Sequence, residues 1–128
     1  MRKPPLAERL MLTGPAGPLE TLVETPAGAG AAQQPRAVAV VCHPHPLFGG
    51  TLENKVVWTV ARAFEQLGAA AIRFNFRGVG RSAGAYDDGR GETEDLGAVL
   101  AYARGRWPQA PLWLGGFSFG AVVALRAA

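Results

Sequence analysis

Hydrophobic and polar positions change period several times along the chain, and each change predicts a different element. Arg9 to Thr13 and Leu19 to Thr25 alternate on either side of Gly14-Pro15-Ala16-Gly17-Pro18, the pattern of a β-hairpin at one sheet edge. Pro26 to Pro35 is Ala, Gly, Gln and Pro and reads as a surface spacer. Ala37 to Cys42 is apolar without alternation, as expected of a strand covered on both faces of a parallel sheet. From Asn54 to Leu67 the period lengthens: Val56, Val57, Val60, Phe64 and Leu67 recur at helical spacing, and Gly68 follows as a stop signal. Ala69 to Phe76 is a second buried strand, and Arg77 to Gly91 a long glycine-rich loop. Thr93 is expected to cap a helix reaching about Arg104. Glu94 and Asp95 fall in its first turn, and Leu96, Val99, Leu100 and Ala103 lie on one face. Pro111 to Leu114 is the third central strand, and Ala121 to Leu125 lies in a small-residue helix.

Strands alternating with helices through short connections predict an α/β fold with a doubly wound, mostly parallel sheet and right-handed crossovers. No internal repeat or linker interrupts the pattern, so residues 1–128 read as part of a single domain. Ligands of such sheets bind beyond the carboxyl ends of the strands. Three segments gather there: His43 to Thr51, Arg77 to Gly91, and the turn at Ser118.

Composition narrows the function classes. Apolar residues make up 48% and charged residues 18%, which excludes a disordered chain. Thirteen lysines and arginines against ten acids give a net charge of +3, and the arginines are dispersed. Neither nucleic acid nor a membrane surface is therefore expected as a partner. Cys42 is the only cysteine, and Ala7-Glu8-Arg9 interrupts any apolar signal region near Met1, so a soluble cytoplasmic protein is expected.

The chemistry concentrates at Gly116-Phe117-Ser118-Phe119-Gly120, between a strand and a helix. A serine hydroxyl is a weak nucleophile unless it is lifted out of the fold. Glycines on both sides of Ser118 allow the sharp turn that lifts it. Its hydroxyl would stand at a helix N-terminus, with the Phe119 N–H aimed at an oxyanion formed on an acyl substrate. A second donor is expected from the loop after the first central strand. Pro44 and Pro46 have no N–H, which leaves the amides of His45 and Leu47; His45 is favoured because it stands two residues beyond the strand end. The surrounding lining would come from His43, Leu47, Gly49, Gly50, Arg77 and Gly78. His43 is expected to pack and hold its loop, and His45 to line the site. Neither is expected to be the base, because in this architecture the order is nucleophile, acid, then histidine. Asp87, Asp88 and Asp95 read as solvated or capping groups, and Trp58, Trp107 and Trp113 as core or helix-packing residues. Gly78-Val79-Gly80-Arg81-Ser82-Ala83 matches a dinucleotide fingerprint in letters only, since no helix opens on it.

Taken together, Val41-Cys42-His43-Pro44-His45-Pro46-Leu47-Phe48-Gly49-Gly50-Thr51, Asn54-Lys55-Val56-Val57, Phe74 to Ser82 and Gly116 to Gly120 resemble small bacterial α/β-hydrolases of the dienelactone-hydrolase-like group. The resemblance runs from about Arg36 to Ala128. It implies an α/β-hydrolase fold and an esterase-like serine hydrolase, with Ser118 as nucleophile, the Phe119 and His45-region amides as oxyanion hole, a small-molecule acyl substrate, and no cofactor or metal. Many relatives of the wider superfamily carry Asp where this chain has Asn75, a departure bearing on loop anchoring. In that family the acid and the histidine base follow the nucleophile helix. The sequence ends eight residues past Gly120, so a fragment truncated after that helix, inactive alone, is expected. Two rival readings are a noncatalytic hydrolase-like binding module and a metal-dependent hydrolase using His43 and His45.

Overall fold

A computed structural model describes residues 6–26 and 34–128. Most of the expected spacer, 27–33, and the N-terminal residues 1–5 lie outside the described residues. Strands β1 (Leu6–Gly14) and β2 (Gly17–Thr25) form the predicted hairpin. They are followed by β3 (Val38–Cys42), helix α1 (Lys55–Gln66), β4 (Ala70–Phe74), helix α2 (Arg90–Arg106), β5 (Leu112–Gly116) and helix α3 (Phe119–Ala127). The five strands make one sheet in the order β1-β2-β4-β3-β5. β4, β3 and β5 run parallel, while the hairpin adds to them antiparallel, with Val23 opposite Ile72 and Thr21 opposite Phe74. The sheet is thus mixed, with a parallel centre.

Helices cover both faces of that centre. Val38, Val40 and Cys42 of β3, with Ile72 and Phe74 of β4, point into a core shared with Leu96, Val99, Leu100 and Ala103 of α2 and Val123 of α3. Val41 and Ala71 face the other way, against Val57 and Ala61 of α1. Both faces being apolar is why β3 shows no alternation. Burying a side chain of this size contributes about 1.5–3 kcal/mol. Val56 and Leu67, expected on the packed face of α1, are instead exposed, and Trp58 stands half in solvent beneath the Arg62 guanidinium. Trp107 is buried, and Trp113 leans on Phe64.

Helix α2 begins at Arg90, three residues before the expected cap, and Thr93 lies inside its first turn with Oγ1 donating to the Gly89 carbonyl. The cause is a pair of carboxylates working on the backbone. Glu92 accepts from the N–H groups of Asp87 and Gly89, and Asp87 accepts from the Gly91 N–H. They satisfy donors that a helix start would otherwise leave orphaned. On the opposite face, Glu65 of α1 is nearly buried, and neither of its carboxylate oxygens has a hydrogen bond among the described residues. Desolvation and the nearby Glu24 carboxylate push its pKa up to about 7.

Candidate active site

Strand β5 ends at Gly116 and α3 begins at Phe119, so only two residues make the turn between them. Ser118 occupies it at φ 58° and ψ −117°, a backbone conformation that costs a non-glycine residue roughly 1–3 kcal/mol. The glycines of the turn are required by close approach. A Cβ on Gly116 would sit 2.5 Å from the Gly120 carbonyl, and one on Gly120 would sit 2.3 Å from the Cys42 carbonyl oxygen. Helix α3 therefore starts in contact with the end of β3, which the Phe117 N–H bond to the Cys42 carbonyl reinforces at 3.2 Å. Ser118 is exposed, and among the described residues its hydroxyl engages no hydrogen-bond partner. The Phe119 N–H is the first of the helix and is likewise without an internal acceptor.

The loop after β3 reaches the same place. His45 caps a 3₁₀ turn, Pro46–Phe48, by accepting the Leu47 N–H on Nδ1 at 3.2 Å. That bond takes the Leu47 amide out of the choice between two donors and leaves the His45 N–H unengaged among the described residues. The His45 ring lies against Phe119, with centroids 4.9 Å apart, so the loop abuts the start of α3. Leu47, Phe48 and Gly49 are exposed, and Gly50 is buried beneath them with its N–H on the His45 carbonyl.

His43 packs and holds its loop as expected, and does not line the site. It is fully buried, with Nδ1–H donating to the Pro44 carbonyl at 2.7 Å and Nε2 accepting the Phe76 N–H at 3.1 Å. Burial pushes its pKa down to about 4, against a smaller opposite effect of the Pro44 bond. Its place is under the loop, tying the ends of β3 and β4 together. Both its nitrogens are engaged, as are those of His45, so neither ring holds out a free lone pair for the rival metal-dependent reading.

Arg77 and Gly78 lie at the start of the second loop. Gly78 is exposed, but the Arg77 guanidinium is folded back onto Asp95, with its closest contact at 2.9 Å. Asp95 has no solvent exposure and also accepts the Arg77 N–H, so it is an internal anchor and not the solvated or capping group expected. Asn75 is the other anchor, accepting the Leu52 N–H and donating to Glu20. An aspartate there has no proton to give Glu20, which accounts for an amide at this position. Ser82 completes the set, donating to the Asn75 carbonyl and accepting from the Glu20 N–H. Two contributors escaped the sequence reading. Glu20 sits in the hairpin, where it is one of several polar positions of an alternating strand and nothing local singles it out. Tyr86, with Oη 3.1 Å from both His45 Nε2 and Asp88 Oδ1, was passed over inside Gly84-Ala85-Tyr86-Asp87-Asp88-Gly89. The described residues hold no helix long and apolar enough to cross a membrane.

Known proteins share the fold that carries this turn. A protein from Coxiella burnetii described as an alpha-beta serine hydrolase homologue superposes on the whole chain with a TM-score of 0.88 at 46% identity. A Xanthomonas campestris protein, described as an α/β serine hydrolase without lid, does so with a TM-score of 0.89 at 47% identity. The chain spans 58% of the length of each. An uncharacterized protein of Rickettsia prowazekii is 45% identical over 91 residues, 70% of this chain and 38% of that protein. The family model for serine aminopeptidase S33 matches residues 33–128. By that match and by its fold, the chain belongs to the serine aminopeptidase S33 family of α/β serine hydrolases.

Proposed function

We propose that Ser118 is the nucleophile of a hydrolase that cleaves a carboxylic ester or related acyl bond. The observation that carries this is the left-handed backbone of Ser118 beside two unengaged amides, those of Phe119 and His45. In the proposed reaction Ser118 Oγ attacks the acyl carbon, and the two N–H groups take the oxygen that becomes negative. The tetrahedral species expels its leaving group to give an acyl-Ser118, which water hydrolyses. The Oγ proton has to pass to a base and return to the leaving group. We place that base and its carboxylate partner in sequence following residue 128, within the length that the structural relatives have beyond this chain. Residues 1–128 alone are then expected to turn over negligibly. The assignment to the dienelactone-hydrolase-like group rests on the His43 to Gly50 loop, whose His45 amide it employs.

The complete gene product treated with a fluorophosphonate probe tests this reading. Labelling is expected in the unaltered protein and none in Ser118→Ala, whose kcat should fall on the order of 10⁶-fold. Equal labelling of both proteins overturns it. Parallel assays with p-nitrophenyl acetate and an aminoacyl p-nitroanilide then separate esters from amides.

A further inference from the structure

Tyr86 and the His45 ring take no part in the steps above, yet they join the two loops that border Ser118. The direction of their hydrogen bonds follows from the ends of the chain of contacts. The Leu47 N–H only donates, so His45 Nδ1, 3.2 Å away, presents its lone pair and the ring proton sits on Nε2. At the other end Asp88 Oδ1 accepts the Tyr86 hydroxyl proton at 3.1 Å. The Tyr86 oxygen is thereby left to accept Nε2–H at 3.1 Å. Donors and acceptors run one way, from Leu47 through His45 and Tyr86 to Asp88.

Packing holds the same ring. Phe48, Tyr86 and Phe119 surround it at centroid distances of 4.9, 5.0 and 4.9 Å. Among the described residues only Ser118 and Asp88 are non-glycines with positive φ, at 58° and 55°. Aspartate tolerates that region better than most side chains, which lets it aim its carboxylate back at Tyr86. The hydroxyl of Tyr86 is held above its usual pKa, by desolvation first and then by the Asp88 bond, and so keeps the proton it donates.

We infer that Tyr86 and Asp88, acting through the His45 ring, are positioning residues that hold the His45 backbone N–H as an oxyanion donor. The inference rests on Ser118 being the nucleophile. With Nε2–H bound to Tyr86, Nδ1 stays an acceptor and keeps the 3₁₀ turn capped. The cap fixes the peptide on which the His45 N–H is carried. It also withholds the Leu47 N–H, which leaves that of His45 as the free member of the pair.

Three variants of the complete gene product test this, assayed with p-nitrophenyl acetate. His45→Ala loses the cap and should lower kcat on the order of 100-fold, the effect of a displaced reacting group, with KM nearly unchanged. His45→Asn has a side-chain oxygen that accepts the N–H two residues on, and should recover most of that loss although it restores none of the ring packing. Tyr86→Phe keeps the ring, loses the hydroxyl and should lower kcat about five-fold. Asparagine no better than alanine, or His45→Ala with unaltered kcat, overturns the inference while Ser118-dependent labelling leaves the nucleophile standing. Labelling that survives Ser118→Ala overturns both. Nitrogen chemical shifts of His45 provide a readout independent of turnover: a proton on Nε2 and none on Nδ1 is expected, and the opposite tautomer overturns the inference.

Discussion

The loop that leaves β4 and the turn that leaves β5 start from neighbouring regions of one sheet edge and are held by opposite means. After β4, side chains do the holding: Ser82 and Asp95 satisfy backbone groups of the loop and the hairpin, Asn75 donates to the Glu20 carboxylate, and the Arg77 guanidinium pairs with Asp95. After β5, side chains are withdrawn. Gly116 and Gly120 bring backbone against backbone, and the one side-chain hydroxyl in between, that of Ser118, has no hydrogen-bond partner among the described residues. The difference teaches how a fold separates support from reactivity. A hydroxyl engaged in anchoring, like that of Ser82, is not available to a substrate. A hydroxyl on a turn held by backbone contact is.

If backbone contact holds the turn, a single methyl there should do more harm than the loss of a side chain from the loop. Gly120→Ala places its Cβ 2.3 Å from the Cys42 oxygen, and a destabilisation of about 4 kcal/mol by chemical unfolding is expected. Gly97→Ala, in α2 with no atom within 4 Å of the added methyl, should instead stabilise by about 0.5–1 kcal/mol. Equal effects at the two sites would break the comparison. At the anchor of the loop, Asp95→Ala in α2 removes the closest partner of the Arg77 guanidinium, itself mostly buried, and leaves it only Glu94, at 3.8 Å, among the described residues. A loss of about 3 kcal/mol is expected, with the first turn of α2 losing hydrogen-exchange protection ahead of β5.

A smaller effect than either of these losses is on pH. His43 is neutral in the fold down to about 4, while in the unfolded chain it takes up a proton near 6.5. Its folded pKa is depressed, so its contribution is present above 6.5 and declines as pH falls toward 4. Lowering pH from 7 to 5.5 should cost about 1 kcal/mol through this group. Glu65 works against it. Its carboxyl keeps a proton up to about 7 in the fold and loses it near 4.5 when unfolded, so stability falls as pH rises between those values. The measurement is therefore made on Glu65→Gln, where the decline on acidification should emerge. Its absence there, judged by denaturant midpoints, would remove His43 as an anchor of the protonation state.

Much of the fold was legible because its signals are local. The unbroken apolar run of β3, the helical spacing before Gly68 and the Gly-x-Ser-x-Gly turn each report on their own segment, and the elements stand within a few residues of where those patterns put them. The start of α2 was misjudged for a physical reason. Thr93 is a good cap in isolation, but two carboxylates, Glu92 and Asp87, reach back to the backbone and extend the helix to Arg90. Val56, Leu67 and Trp58 were misplaced because helical period shows that a face exists but not how far a sheet extends beneath it.

By itself the sequence determined the order of strands and helices, the serine on its turn, and the exclusion of Pro44 and Pro46 as oxyanion donors. These depend on residue type and spacing, which are properties of the chain. Only the tertiary structure bound the Leu47 N–H to the His45 ring while leaving the His45 N–H unengaged among the described residues, and tied Glu20 to a loop about sixty residues away. The ties of Glu20 join segments far apart in the chain, and the turn in which His45 Nδ1 takes the Leu47 N–H is seated against Tyr86 and Phe119, which are also distant in sequence. Which partner a polar atom finds is set by where the fold brings the backbone, not by its neighbours in sequence.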